Sequence, residues 1–191
     1  MSNVPAEKAR LRQELLARRE ALGAGVRNEL GERVRRHLVD WISQRKPEYV
    51  LLYVATRGEV DILPLAAELK GARFALPLMG LKPGQMTFHA YRVGDHLRKN
   101  RVGIYEPDPC EAKIVRPSEQ CIVLVPTLAL TPGGIRLGYG GGYYDRYLAS
   151  ATGVFVGVCQ GVMVVPTLPA ESHDVKLPWR ATEDGVCASG G

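Results

Sequence analysis

The first quarter of the chain carries apolar residues at helical spacing in two stretches separated by glycines. Leucines recur at this spacing over residues 6–22, which predicts a helix that ends at Gly23 and Gly25. A second helix follows. Its apolar stripe consists of Val26, Leu30, Val34, Leu38 and either Trp41 or Ile42.

Most of the remaining chain consists of short apolar runs bounded by turn residues, which predict strands. Residues 49–54 and 121–125 are continuous apolar runs, as is typical of buried parallel strands. Residues 86–91 alternate as a half-buried strand does. Further strands are predicted at 73–78 and 154–158, and a last short one between residues 180 and 186.

The segments between these strands predict one more helix and two irregular stretches. Asp61 precedes the apolar segment ILPLAAELK, and we expect it to be the N-cap of a third helix. Residues 92–118 and 166–174 have no clear periodicity and are predicted to be loop.

Alternation of strands and helices predicts an α/β fold, namely a single three-layer α/β/α domain with a mostly parallel, Rossmann-like sheet. The domain is expected to span residues 1–187, and residues 188–191 are expected to form a disordered tail. Ligands of such sheets bind beyond the carboxyl ends of the strands. The ATRGEVD loop (55–61) and a later glycine-rich loop both follow strand ends, so we expect them to face one cleft.

Composition and charge narrow the class of ligand. The formal net charge of +5 favours an anionic ligand, yet it is too small and dispersed to argue for DNA. The second helix has a basic face, which is usually solvated, although an RNA-binding patch is the alternative. That face consists of Arg27, Arg33, Arg35 and Arg36.

The cysteines and the N-terminus predict a cytoplasmic protein. Four cysteines lie far apart without a C-x-x-C motif, which indicates free thiols rather than a zinc site or a disulfide scaffold. The first residues contain no apolar core of a signal peptide, and no apolar stretch is long enough to span a bilayer. We therefore expect no membrane association and, as the simplest state, a monomer.

The glycine-rich stretch 133–146, GGIRLGYGGGYYDR, is the strongest candidate for a binding site. Glycines let backbone N–H groups approach an anion closely, and Arg136 and Arg146 supply charge-assisted donors. The segment YYDRYLA that follows is predicted to be a helix, so the loop would bring an anion to a helix N-terminus. We interpret the stretch as a phosphate-binding loop, with a glycine-rich surface turn as the alternative.

Two common phosphate-binding motifs do not fit this loop. The lysine followed by Ser or Thr that completes a Walker A loop is absent. With glycines at 138 and 140, Tyr143 occupies the position of the last glycine in a dinucleotide fingerprint. A P-loop NTPase and a Rossmann dehydrogenase are therefore disfavoured.

Four segments, in this order, resemble the 5-formyltetrahydrofolate cyclo-ligase family over nearly the whole chain. They are KARLRQELLARREAL, YVATRGEVD, RLGYGGGYYDRYL and LPAESHDVKLPWRATED. The resemblance implies an ATP- and magnesium-dependent ligase. It would phosphorylate the formyl oxygen of 5-formyltetrahydrofolate and close the ring to 5,10-methenyltetrahydrofolate, with release of ADP and phosphate. Phosphoryl transfer depends on positioning, magnesium and cations more than on a covalent nucleophile.

The resemblance also implies roles for particular residues. For each of them an ordinary structural role is the alternative. Lys8 and Arg12 would contact ATP, although two solvated basic residues would look the same. Asp145 and Asp174 would bind magnesium, although a first-turn helix acid and a loop cap are alternatives. The implied ATP-binding set continues with Arg136, Leu137, Gly138, Tyr139, Gly140, Gly141, Gly142, Tyr143 and Tyr144, and Arg146 is a further phosphate contact.

The implied folate site combines one acid, one apolar residue and part of the glycine loop. Glu59 would accept hydrogen bonds from the pterin N–H groups, although a loop glutamate is normally solvated. Val54 would form an apolar wall. The loop residues implied at the folate are Tyr139, Gly140, Gly141, Gly142 and Tyr143. A positive surface would also suit a polyglutamate tail on the substrate.

The chain departs from the family pattern at two positions. An aspartate commonly precedes the RLG block where this chain has Thr131, and a glutamine commonly precedes the closing motif where this chain has Val162. These changes bear on the folate pocket more than on ATP binding. Two other functions are considered. One is a related α/β enzyme of the sugar-phosphate isomerase or CoA-transferase type, and the other is a nucleotide- or RNA-binding module without catalysis.

Overall fold

A computed structural model of the chain describes residues 3–190, and its centre is an eight-stranded sheet. The strand order is β12-β11-β10-β7-β1-β2-β3-β6. The strands of this sheet are β1 (Val50–Leu51), β2 (Phe74–Met79), β3 (Met86–Tyr91), β6 (Ile114–Val115), β7 (Ile122–Pro126), β10 (Val154–Val158), β11 (Trp179–Thr182) and β12 (Gly185–Ala188).

The middle of the sheet is parallel and its margins are antiparallel. Strands β11, β10, β7, β1 and β2 are parallel to one another. At one edge β12 pairs antiparallel with β11; at the other, β3 pairs antiparallel with β2, and β6 pairs antiparallel with β3. The central strands are buried on both faces, which explains their continuous apolar sequences. The predicted α/β class with a mostly parallel sheet is confirmed.

Helices cover both faces of the sheet and divide the core into two clusters. The helices are α1 (Val4–Ala21), α2 (Gly23–Arg45), α3 (Leu65–Glu68) and α4 (Tyr143–Leu148). On one face, Leu38 and Leu65 pack against Val50 and Leu124. On the other face, Leu15 of α1 packs in a cluster with Leu51 and Val123. Because neighbouring residues of a strand point to opposite faces, each central strand contributes to both clusters.

The predicted secondary structure was wrong in two places. The third helix has only four residues, and Asp61 accepts a bond from Leu63 N instead of capping α3, whose N-cap is Pro64. The segment 92–118, predicted to be loop, contains the hairpin β4 (Leu97–Lys99) and β5 (Tyr105–Pro107), as well as β6. These strands have two or three residues each and present no periodicity that a sequence pattern could detect.

Two further hairpins differ from prediction. The hairpin β8 (Ala129–Leu130) and β9 (Arg136–Leu137) includes the start of the glycine-rich stretch and leads into the glycine loop at 138–142. The single last strand is in fact the pair β11–β12. The tail predicted to be disordered begins inside β12. Ser189 N and Gly190 N donate hydrogen bonds to Pro178 O and Pro132 O, while residue 191 lies outside the described residues.

Candidate active site

A cavity of about 820 Å³ lies where the carboxyl ends of β7, β1 and β2 meet the glycine loop. Pro126 and Met79 mark the ends of β7 and β2, and Val54 follows β1. The ATRGEVD loop also contributes to the wall, so the two loops face one cleft as expected. The cavity is lined by every residue to which the family resemblance assigned ATP, folate, magnesium or phosphate binding: Lys8, Arg12, Val54, Glu59, Arg136, Leu137, Gly138, Tyr139, Gly140, Gly141, Gly142, Tyr143, Tyr144, Asp145, Arg146 and Asp174.

The glycine loop holds its shape through backbone conformations that favour glycine. Gly140 has φ +91°, and Gly142, the residue before α4, has φ +65°. Arg12 Nε donates to Gly138 O at 2.8 Å, and a Cβ at Gly140 would lie 3.2 Å from Arg12 Cζ. A side chain at Gly140 would therefore strain the backbone and displace the arginine that fixes the loop to α1.

Helix α1 turns one basic face toward the cavity and the core beneath it. Lys8, Arg12, Leu15 and Arg19 follow one another at intervals of four, three and four residues, which places them on one side of a helix. Lys8, Leu15 and Arg19 are buried. Two of the chain's basic residues are thus enclosed by protein instead of being solvated.

Lys8 is paired with two acids from the loop that precedes β11. Its Nζ donates to Asp174 Oδ2 at 2.6 Å and to Glu171 Oε2 at 2.9 Å. Burial alone would lower the pKa of Lys8, but the hydrogen bonds that it donates to Asp174 and Glu171, together with their negative charge, outweigh burial and the pKa is raised. Burial likewise opposes ionisation of Asp174, yet the bond from Lys8 lowers its pKa. Both groups are charged at neutral pH.

A second ion pair lies directly behind the glycine loop. Arg136 of β9 donates to Asp145 of α4, and the arginine side chain is only 5% exposed. Arg146 Nη1 donates to Gly141 O at 3.1 Å and its guanidinium lies against Gly84 of the β2–β3 turn. Arg136 Nε and Tyr144 OH are buried without a hydrogen-bond partner in the protein. Both residues line the cavity, but these two atoms have almost no exposed surface and do not face the space where a ligand would bind.

Glu59 lies in the opposite wall, on the ATRGEVD loop. Its Oε2 accepts hydrogen bonds from Thr56 N at 2.7 Å and Thr56 Oγ1 at 3.2 Å. Burial raises the pKa of the Glu59 carboxyl above its ordinary value, although the Thr56 backbone, Arg19 and the Tyr139 hydroxyl oppose the shift. Burial also raises the pKa of Tyr139 and Tyr144, so both phenols are neutral donors at neutral pH.

Several residues of the cavity were not found by reading the sequence. The β4–β5 turn at 102–104 was hidden in a segment predicted to be loop, and Glu106 anchors it by accepting from Met79 N at 2.9 Å. Arg19 lies beneath the wall and contacts Tyr139. The sequence did contain an indication of this, because Arg19 continues the helical spacing of Lys8 and Arg12. A pattern of apolar residues alone does not include arginines.

The two departures from the family pattern lie outside the cavity wall. Thr131 is 4% exposed and its Oγ1 accepts from Ile135 N at 3.0 Å, so its hydroxyl closes the β8–β9 turn. Val162 packs at the edge of the core cluster that contains Leu15. Neither side chain lines the space that a ligand would fill.

The basic face of α2 is partly engaged by the protein itself. Arg27 Nη1 donates to the carbonyl oxygens of Arg19 and Glu20, and Arg35 Nη1 donates to Asp61 O. Arg33 lies 3.7 Å from a carboxylate oxygen of Asp184. These contacts favour a structural interpretation of that face over an RNA-binding patch. Among residues 3–190, no helix is long and apolar enough to cross a membrane.

The acids of the cavity are suited to magnesium, which prefers carboxylate and phosphate oxygens. Asp145 uses one oxygen for Arg136, and Asp174 uses Oδ2 for Lys8 and Glu171 N. The second oxygen of each carboxylate makes no hydrogen bond to the described residues, and His173 Nε2 lies 3.9 Å from that of Asp174. Glu171, His173 and Asp174 also bring one ligand atom each within 4.8 Å of one another, although the His173 side chain is 66% exposed. The donor set therefore fits a magnesium ion at either carboxylate.

The fold and the cavity together define an α/β protein with a ligand-sized cleft that is bordered by a glycine loop and basic side chains. The family model described as the 5-formyltetrahydrofolate cyclo-ligase family matches residues 4–182, so the chain belongs to that family. The chain is 34% identical to 5-formyltetrahydrofolate cyclo-ligase from Mycolicibacterium smegmatis, over 91% of this chain and 92% of the relative. It is 29% identical to the enzyme of that name from Escherichia coli K12, over 88% and 96% of the two chains.

Solved structures give the same assignment. The NMR structure of 5,10-methenyltetrahydrofolate synthetase from Aquifex aeolicus superposes with a TM-score of 0.83 at 31% identity, covering 96% of this chain and 93% of that one. The corresponding protein from Mycoplasma pneumoniae has a TM-score of 0.75 at 22% identity, which bears on the fold alone. These likenesses decide against the sugar-phosphate isomerase, CoA-transferase and non-catalytic alternatives.

Proposed function

We propose that the chain catalyses the ATP-dependent cyclisation of 5-formyltetrahydrofolate to 5,10-methenyltetrahydrofolate. The observation that carries this proposal is the family match over residues 4–182, which includes every residue of the candidate site. In the reaction the formyl oxygen attacks the γ-phosphorus of ATP and ADP leaves. Nitrogen-10 then attacks the activated carbon and loses its proton to the solvent, and the C–O bond breaks as phosphate departs.

The nucleotide half of the site consists of α1 and the glycine loop. Lys8 and Arg12 supply positive charge, and the backbone N–H groups of 138–142 donate to phosphate oxygens. Arg136 and Arg146 add charge on the far side of the loop. Because phosphoryl transfer requires positioning and charge neutralisation, these residues need no nucleophile among them.

The folate half consists of the ATRGEVD loop and the tyrosines that face it. Glu59, once ionised, accepts hydrogen bonds from N–H groups of the pterin ring. Val54 packs against the ring, and the phenols of Tyr139 and Tyr143 border it. A site built to pair with substrate N–H groups discriminates strongly against ligands without them, because its own buried acceptor would be left unpaired.

Asp145 and Asp174 are the proposed magnesium ligands. A magnesium ion bound there would neutralise phosphate charge during transfer. The chain's own contribution is to hold the two carboxylates at the cavity, Asp145 through Arg136 and Asp174 through Lys8.

The same proposal extends to the state and the partners of the enzyme. A net charge of +5 favours a substrate with a polyglutamate tail, and we expect a cytoplasmic monomer that acts on this small molecule without nucleic acid. Size-exclusion chromatography with light scattering and KM values for folates of increasing tail length would test both points.

Phosphate release tests the proposal against its alternatives. One phosphate should appear for each 5-formyltetrahydrofolate consumed, and no phosphate should appear with 5-methyltetrahydrofolate, which has no formyl oxygen to phosphorylate. Equal phosphate release with both folates, or release without folate, would overturn the proposed reaction.

A further inference from the structure

Arg19 is the most deeply buried charge of the described chain, with no exposed surface. Its Nη2 donates to Thr127 O at 2.7 Å and to Leu128 O at 3.0 Å, where the chain leaves β7. Its Nη1 donates to the Tyr139 hydroxyl at 2.5 Å. Burying a guanidinium costs free energy unless its N–H groups are hydrogen-bonded. The acceptors around Arg19 are therefore held in place by these bonds.

The loop that carries Glu59 packs directly on the Arg19 side chain. Gly58 has φ +75°, and a Cβ there would lie 3.3 Å from Arg19 Cδ and 3.1 Å from Arg27 Nε. Gln160 Nε2 donates to Gly58 O at 2.9 Å and holds the loop from the other side. The residue that follows Gly58 is Glu59, so its position depends on this close approach.

Tyr139 connects Arg19 with Glu59. Since the phenol oxygen accepts from Arg19, its own proton is free to point toward the Glu59 carboxylate, and the Tyr139 hydroxyl lowers the pKa of that carboxyl. The other groups near Glu59 are Thr56 from its own loop, Tyr53 from the segment after β1 and Tyr144 from α4. None of these carries positive charge. Arg57 Cζ lies 5.5 Å from the centre of the Tyr139 ring and is a second cation near the cluster, whereas Arg19 is the buried cation that contacts the Tyr139 hydroxyl.

We propose that Arg19 is a positioning residue for the folate site, which acts by orienting the Tyr139 hydroxyl toward Glu59 and by holding a positive charge opposite that carboxylate. Helix α1 then serves both halves of the cleft, with Lys8 and Arg12 at the nucleotide and Arg19 behind the folate. This inference rests on the proposed function for the identity of the ligand, but the geometry it concerns lies within the protein.

Kinetics of Arg19→Met, with the exposed Arg18→Met as the matched control, test the inference. We expect the KM for 5-formyltetrahydrofolate to rise about tenfold in Arg19→Met, as for loss of a charge-assisted hydrogen bond. The KM for ATP should change about twofold or less, and Arg19→Lys should recover part of the loss. Arg18→Met should match the wild type in both constants.

The pH dependence of kcat/KM for the folate distinguishes this role from a purely structural one, which would leave that dependence unchanged. Without the Arg19 charge, the pKa of Glu59 rises further, so the acid limb of kcat/KM for the folate shifts to higher pH in Arg19→Met. In Tyr139→Phe, which leaves the carbonyl bonds of Arg19 intact, the folate KM also rises. Adding Arg19→Met to Tyr139→Phe should then change this KM by less than Arg19→Met does alone.

Titration of the Glu59 carboxyl by carbon-13 NMR, assigned with Glu59→Gln, requires no turnover. A higher pKa in folded Arg19→Met or Tyr139→Phe than in the wild type supports the inference even if the wild type forms no methenyl product. The inference would be overturned if the Glu59 pKa were unchanged in both variants. It would also be overturned if Arg19→Met raised the folate KM by the same factor in Tyr139→Phe as in the wild type. Should Arg19→Met fail to fold, Tyr139→Phe and Arg19→Lys decide the question by the same two measurements.

Discussion

Lys8 Nζ lies 2.6 Å from Asp174 Oδ2, although 166 positions separate the two residues in the sequence. This ion pair joins the first helix to the loop before β11 at the rim of the cavity. Folding therefore brings together a residue proposed to bind ATP and one proposed to bind magnesium, and each holds the other in its charged form.

Asp174→Asn should destabilise the protein by about 1.5–3 kcal/mol at neutral pH, because Lys8 loses a charge-assisted hydrogen bond in a buried place. The folded-state pKa of Asp174 is lowered, so its stabilising effect is present above the unfolded pKa and is lost as pH falls through the folded one. For Lys8, whose pKa is raised, the effect is present below the unfolded pKa and is lost as pH rises through the folded one.

Urea unfolding at several pH values checks this expectation. The difference between the wild type and Asp174→Asn should be largest at neutral pH and should shrink in acid, where Asp174 of the wild type is also protonated. A difference that does not vary with pH would show that the carboxylate charge is not what stabilises this contact.

Gly140→Ala should lower kcat/KM for ATP by about tenfold, because alanine at φ +91° is strained by about 1–2 kcal/mol and its Cβ approaches Arg12. Gly25→Ala is the matched control. Gly25 lies in α2, no other residue comes within 4 Å of its added Cβ, and alanine there should stabilise the helix by about 1 kcal/mol. Equal activities of the two variants would contradict the role assigned to the loop conformation.

Asp145→Asn should reduce kcat by about a hundredfold and raise the magnesium concentration needed for half-maximal activity. The substitution removes a carboxylate charge that both Arg136 and the proposed metal would share. Asp184→Asn, at a side chain that is 80% exposed, is the control and should leave the magnesium dependence unchanged. If Asp145→Asn followed the wild-type magnesium titration, Asp145 would not be a ligand.

Glu59→Gln should raise the KM for 5-formyltetrahydrofolate by about tenfold and leave the KM for ATP nearly unchanged. Burial raises the pKa of Glu59, so in the wild type kcat/KM for the folate should fall in acid at a higher pH than an ordinary glutamate would cause. That acid limb should vanish in Glu59→Gln. Its persistence would mean that another group titrates.

The main elements of the fold were predictable from sequence because their patterns are local. The strand at 86–91 and the strand at 154–158 were predicted with the bounds of β3 and β10, since continuous or alternating apolar residues set them. The hairpin β4–β5 was not predictable in this way. Asn100 builds its turn, with Oδ1 accepting from Val102 N and Ile104 N, and such a bond leaves no periodic signal.

In the candidate site, too, the features that depend on local sequence were predictable and those that depend on tertiary contacts were not. The glycine loop was identifiable because its composition is unusual, whereas Lys8 and Arg12 were indistinguishable from solvated residues until the family resemblance was considered. Their environment is created by contacts with Asp174 and Gly138, more than a hundred positions away. Arg19 escaped notice for the same reason, since the carbonyl groups it binds belong to a turn after β7.

The most direct test of the proposed reaction is the near-ultraviolet absorbance of the methenyl product. Protein, 5-formyltetrahydrofolate, magnesium and ATP should together produce a growing band, and the band should not grow without ATP or with Asp145→Asn at the same protein concentration. Failure of the wild-type protein to form the band, while it still binds ATP, would contradict the folate assignment and leave only the nucleotide half of the site.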